Sequence, residues 1–169
     1  MKILGREEVS AWLAKHSQIE DPFEGPVDPP FRVPFKSPMS FRSCECFVRA
    51  FLNQIVEQGE ILVVVADASP AEPCHELLSN AVRTSIGERR GISDAPGYLI
   101  GFPEREQAVA IFSLMVSFAW KCYLYADHRQ IVLYNWEGTI FDMWSDAPKT
   151  LQDTTVLIRN FGLEVVSET

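Results

Sequence analysis

Residues 97–144, GYLIGFPEREQAVAIFSLMVSFAWKCYLYADHRQIVLYNWEGTIFDMW, read without a break as a strand, a buried helix and three further strands. The run GYLIGF (97–102) is apolar and bounded by glycines. Pro103 then supplies a helix start, because its missing N–H is not needed in the first turn, and Glu104 and Glu106 suit the positive end of the helix dipole. From 108 to 120 only Ser113 and Ser117 interrupt the apolar sequence. A helix so apolar all round is expected to be the buried core helix rather than a surface one.

The next segments, 121–126, 130–134 and 139–144, are rich in aromatic and β-branched residues and are separated by the polar turns 127–129 and 135–138. Asn and Gly in such turns predict a three-stranded antiparallel meander. Alternation puts Cys122, Leu124, Ala126, Ile131 and Leu133 on one face, and Tyr123, Tyr125, Val132 and Tyr134 on the other. One face takes the core helix. The aromatic face needs a second layer or a partner.

Working outward, 169 residues with 47% hydrophobic content suit one domain with a sizeable core, 1–169. Residues 6–16 carry Val9, Trp12 and Leu13 at helical spacing and predict an outer amphipathic helix. In 21–38 six of the eleven prolines are interleaved with Phe23, Phe31 and Phe35. That density forbids helix and resists central strand, so 21–42 is expected to be an extended arm packed on or near the domain. Residues 43–58 form a clear amphipathic helix. EILVVVAD (60–67) reads as a central strand buried on both faces. A third helix carries Leu77, Leu78, Ala81, Val82 and Ile86 as its inward stripe, with Cys74 on the same stripe as a buried cysteine. Strand 60–67, this helix and strand 98–102 predict a βαβ crossover. A last helix from Pro148 and a short edge strand at 163–166 complete an α/β (α+β) domain: a mixed sheet with a central βαβ unit and an antiparallel meander, flanked by about five helices.

Charge and motifs narrow the function. The net charge of −8, from 23 acidic and 15 basic residues, disfavours nucleic acid and anionic membrane and favours a basic or neutral protein partner. The longest nearly unbroken apolar run falls short of the roughly 20 residues that span a bilayer, and the N-terminus lacks a secretory pattern, so a cytoplasmic protein with reduced cysteines is expected. No glycine-rich phosphate loop, nucleophile elbow or paired-histidine zinc motif occurs.

Two places remain. The first is the end of the central strand, where α/β sheets bind ligands: Asp67 and Ser69 are followed by Cys74, His75 and Glu76 at a helix start, with Asp67, Ser69, Cys74 and His75 as candidates for a small-molecule enzyme or ligand sensor. Cys44, Cys46, Cys74 and His75 have zinc-type chemistry but poor spacing, so no metal or cofactor is expected. Asp142, between Phe141 and Met143, is expected to face solvent rather than to form an acid/base pair with Glu137. The second place is the turn holding Trp136 and Glu137, with Tyr123, Tyr125, Tyr134 and Trp144 beside it on the aromatic face. If exposed, these residues suit a partner-binding surface or a homo-oligomer interface; the competing reading is that a helix covers them as ordinary core. The sum favours a non-enzymatic, acidic protein-binding domain, such as an inhibitor or immunity-type partner of a basic protein.

Overall fold

The computed structural model describes residues 1–16, 22–23, 31–69, 72–127 and 130–166. In chain order these form β1 (Lys2–Leu4), α1 (Arg6–His16), β2 (Phe31–Lys36), α2 (Phe41–Phe51), β3 (Glu60–Asp67), α3 (Pro73–Ser85), β4 (Gly97–Gly101), α4 (Arg105–Ser117), β5 (Lys121–Ala126), β6 (Ile131–Trp136), β7 (Ile140–Ser145) and α5 (Pro148–Asn160). A π-helical turn, Leu52–Val56, continues α2, and a 3-10 turn, Phe102–Glu104, leads into α4. The described strands make one seven-stranded sheet in the order β1-β4-β3-β5-β6-β7-β2, with every neighbouring pair antiparallel.

The α/β class, the five helices and the meander β5-β6-β7 are as the sequence predicts. The direction of one pairing is not. β3 and β4 are neighbours, but antiparallel, with Val64 opposite Gly97. A parallel crossover would need α3 to bury its apolar stripe on the sheet, and it does not. Instead α3 and the loop after it sit beyond the end of β3, and the chain re-enters the sheet there, with the Val65 N–H donating to the Pro96 carbonyl (3.0 Å). The βαβ unit occurs one connection later. β4 and β5 both run antiparallel to β3 and flank it, so they are parallel to each other, and α4 joins them. That explains why α4 is apolar nearly all round.

Strand alternation divides the interior in two. On one face Phe35, Ile61, Val63, Tyr98, Leu124 and Leu133 pack under α2, α4 and α5. On the other, Leu62, Val64, Tyr125 and Val132 pack under Val9, Trp12 and Leu13 of α1, with Phe23 against them. A Cβ on Gly97 would lie 2.5 Å from Val9 Cγ2, so glycine is what lets α1 lie this close to the sheet. Part of the expected extended arm is a strand: β2 pairs with β7 at the sheet's end, where Pro34 costs no interior ladder bond. Among the described residues its far side receives the bridge Phe35–Val165, with backbone bonds from Lys36 to Glu164 and from Val166 to Pro34, within the edge strand expected at 163–166. The rest of the arm through residue 30, apart from 22–23, lies outside the described residues.

The largest departure from expectation is α3. Its period is correct and its orientation is reversed. Leu77 (71% exposed), Leu78 (50%), Val82 and Ile86 face outward, and Cys74 is exposed rather than buried. The buried positions are Ser79 and Arg83. Arg83 explains the reversal. Only 1% exposed, its guanidinium donates to the carbonyls of Ala95 (3.0 Å), Arg90 (3.0 Å) and Gly91 (3.3 Å) and to the Tyr98 hydroxyl (3.0 Å). One turn of polar side chains therefore ties the helix to the 90–98 segment. A guanidinium with five donors in a fixed fork matches several carbonyls at once, which no apolar side chain could do.

Candidate functional site

β3 ends in an irregularity between Val65 and Asp67, after which Asp67 pairs with Lys121 at the start of β5. Asp67 Oδ1 accepts from the Ser69 N–H (2.9 Å), which turns the chain away from the sheet toward α3. Between this turn, the N-terminal half of α3 and the loop before β4 lies an open cleft of about 400 Å³. It is lined by Asp67, Ser69, Glu76, Ser79, Asn80 and Trp120, with Gly91, Ile92 and Ser93 on the loop side.

Two carboxylates, Asp67 and Glu76, thus reach one cleft. Ser79 is buried there, and its hydroxyl has no hydrogen-bond partner among the described residues. Buried hydroxyls are nearly always satisfied, so an unpartnered one lining a cleft marks a place where a polar group fits. The cation Lys121 sits at the rim, its Nζ 3.9 Å from Asp67 Oδ2 and 3.2 Å from Glu137 Oε1. It links the two places that the sequence singled out separately. Glu137 and Gly138 both have positive φ (52° and 74°), as a tight hairpin turn of the primed kind requires. The Asn135 side chain fixes that turn, donating to the Trp120 carbonyl (2.7 Å) and accepting from the Gly138 N–H (3.1 Å). One side chain therefore ties the backbone of Trp120, at the cleft, to the hairpin turn that follows Trp136.

The expected site residues separate into groups. Asp67 and Ser69 line the cleft; Cys74 and His75 are not among its lining residues. The His75 ring stacks on Phe118 at 4.3 Å and meets Trp120 edge-on, and the Cys74 thiol points outward to Glu72, with Sγ–Oε2 3.8 Å. Glu72, Cys74 and His75 do place one potential ligand atom each within 4.8 Å of one another, and they are the described residues that could hold a metal ion. Cys44 and Cys46 do not join them. Cys44 is buried, with its thiol pushed up to about 11 by desolvation, while Cys46 is exposed. Burial likewise holds the Cys122 thiol well above its ordinary range.

Trp136 is 51% exposed and Glu137 lies beside it. Tyr123, Tyr134 and Trp144 are each only 7% exposed and Tyr125 is 1% exposed. These four form one aromatic cluster, Tyr123 stacked on Tyr134 at 4.3 Å and on Tyr125 at 5.7 Å with Trp144 edge-on to Tyr123, in the same core as α1. The partner surface expected there reduces to Trp136, whose ring leans on Tyr134 at 5.9 Å, and Glu137. Asp142 does not face solvent. It is buried on the aromatic face, and both Nε and Nη2 of Arg32 approach its Oδ2 at 2.6 Å. A strand with α1 and aromatic neighbours over its second face has no solvent side on which to put a carboxylate.

Sequence reading placed Glu76 at the start of α3 and missed Ser79, Asn80 and Trp120. The available signal was the i, i+4, i+8 row His75, Ser79, Arg83, a polar stripe as regular as the apolar one. No protein-family model, curated protein or solved structure matches this chain. Among the described residues no helix is long and apolar enough to cross a membrane.

Proposed function

We propose that this chain is a non-enzymatic binding domain for a basic protein, taking one cationic side chain of that partner into the cleft. The reading is carried by the donor-seeking character of the cleft: the Asp67 and Glu76 carboxylates and the unpartnered Ser79 hydroxyl share one space. A guanidinium or ammonium supplies donors to all three, and charge-assisted bonds of this kind are roughly twice as strong as neutral ones. Trp136, exposed and next to the Glu137 that shares Lys121 with Asp67, gives such a partner an aromatic anchor, and anchors of this type dominate binding energy at interfaces. The net charge of −8 adds long-range attraction, which acts on association rate more than on lifetime.

The test is affinity capture from a cellular protein extract on immobilised wild type and on the Asp67→Asn/Glu76→Gln variant. A basic protein should be held in stoichiometric amount by the wild type alone and released at about 0.5 M NaCl, where the screening length is roughly 4 Å. Equal retention by the variant would defeat the cleft reading. One observation favours a second reading, a small-molecule enzyme or sensor: about 400 Å³ is the volume of a small-ligand pocket. In that reading a small organic cation replaces the partner's side chain. Thermal stabilisation of the wild type by simple amines and guanidines, absent in the same variant, would select it.

A further inference from the structure

We propose that α3 is a self-association surface, on which a second copy of the chain packs its own α3 antiparallel across a two-fold axis. This goes beyond the cleft and does not depend on it. Within the helix the outward stripe is Cys74, Leu77, Leu78, Ala81, Val82 and Ser85, all exposed and none charged, with Ile86 past it at the C-cap. An uncharged stripe does not suit the basic partner that the cleft favours. It does suit itself, for two reasons.

The spacing along the stripe is three, one, three, one, three residues, which is the same read in either direction. An antiparallel copy centred level with Ser79 and Asn80 therefore sets Leu77 against the partner's Val82, Leu78 against the partner's Ala81, and Cys74 against the partner's Ser85. Each large side chain meets a smaller one, and each contact is made twice, as an isologous interface requires. A parallel pair would set leucine on leucine at one end and leave Ala81 and Ser85 facing each other at the other.

Charge selects the same direction. The N-terminal end of α3 carries Glu72 and Glu76, while Arg89 lies just past its C-terminal end, exposed and in no ion pair among the described residues. Its neighbours Glu88 and Arg90 neutralise each other at 2.6 Å. Antiparallel packing brings Arg89 to the acidic end of the other helix and opposes the two helix dipoles. Parallel packing would bring acid to acid.

Size sets the strength. The stripe from Cys74 to Ser85 runs about 17 Å along the helix and offers roughly 400 Å² per copy, about 800 Å² in all, which is below the size of stable specific interfaces and in the range of transient ones. It therefore fits a weak, reversible dimer rather than an obligate one.

Sedimentation velocity from about 1 to 500 µM tests this. The wild type should pass from the 19.1 kDa monomer to twice that mass. Leu77→Glu with Leu78→Glu should remain monomeric throughout with an unchanged unfolding transition. Glu72→Lys and Arg89→Glu should each weaken the dimer about fivefold, and the two combined in one chain should restore it, because each interface then holds two reversed pairs. A wild type monomeric at 500 µM would overturn the proposal. So would a dimer indifferent to the leucine changes, or a combined charge swap no tighter than the single ones.

Discussion

Replacing Arg83 with methionine should destabilise the fold by about 3 kcal/mol, although relief from burying a guanidinium without a carboxylate works in the other direction. The magnitude follows from what would be left behind. Of the groups that Arg83 serves, Arg90 and Gly91 are exposed, so water can replace the guanidinium at their carbonyls. Ala95 and Tyr98 are fully buried, and their carbonyl and hydroxyl each lose a 3.0 Å bond with nothing to take its place. Each stranded group costs about 1–3 kcal/mol, and relief from burying the guanidinium returns part of the sum, leaving roughly 3. Methionine keeps much of the stem packing, so the cavity contribution is small. Urea unfolding followed by tryptophan fluorescence would show this as a midpoint lower by about 1.5 M for a slope near 2 kcal/mol/M, or as a melting temperature lower by about 6–12 °C. Tyr98→Phe should cost about 1 kcal/mol alone and should regain about 1 kcal/mol on top of Arg83→Met, where it removes the stranded hydroxyl. A midpoint shift under about 0.3 M for Arg83→Met would refute the assignment of Arg83 as the residue that sets α3's orientation.

Other outcomes follow from the same geometry. Gly97→Ala should cost about 1–3 kcal/mol by calorimetry, since its new methyl would meet Val9 at 2.5 Å with the β1 backbone on its other side; a neutral result would mean that α1 is loosely seated. Hydrogen bonds from the Arg90 side chain, then from its backbone N–H, hold the Glu88 carboxyl at about 2, below its ordinary 4.5. Gly5 and Lys2 lower Glu8, and Arg49 lowers Glu106. Because these folded-state values are depressed, their stabilisation is present above about pH 4.5 and is lost as pH falls toward 2. Glu88→Gln should accordingly flatten the stability profile through that window, and an unchanged slope would rule out the Arg90 pair as its source. In a thiol-disulfide dye assay near pH 8, Cys46 and Cys74 should react in the native protein, while Cys44 and Cys122 wait for denaturant. Rapid reaction at all four would show that the core is open.

Much of this architecture was legible in the residues because pattern and burial agree there. The apolar α4, the β-branched β3 and the turns of the meander each admit one local reading, and the sheet satisfies all of them. The antiparallel β3–β4 pair was not legible, because strand direction depends on where α3 packs, and its packing is set by one arginine meeting carbonyls supplied from residues 90–95. A helix with two regular stripes, Leu77-Leu78-Ala81-Val82 and His75-Ser79-Arg83, gives periodicity without a sign, and hydrophobicity alone chooses the wrong one. The cleft was half legible for the same reason. Asp67 and Ser69 belong to the strand end wherever α3 goes and Glu76 belongs to the helix start that follows, but Ser79 and Asn80 enter only once the polar stripe turns inward. Asp142 misled for a different reason: alternation says which face a residue occupies, not whether α1 and a stack of tyrosines close that face.

The most direct test exchanges the two stripes of α3 at adjacent positions and compares the stability of Leu78→Ser with that of Ser79→Leu by urea unfolding. With the polar stripe inward, Leu78→Ser should change stability by less than about 0.5 kcal/mol, because the leucine is exposed. Ser79→Leu should cost about 1–3 kcal/mol, because an isobutyl group must enter a site only 2% exposed. The reverse order, a costly loss of Leu78 and a tolerated leucine at 79, would mean that α3 packs by its apolar stripe, and the cleft and the dimer surface would both disappear with that result.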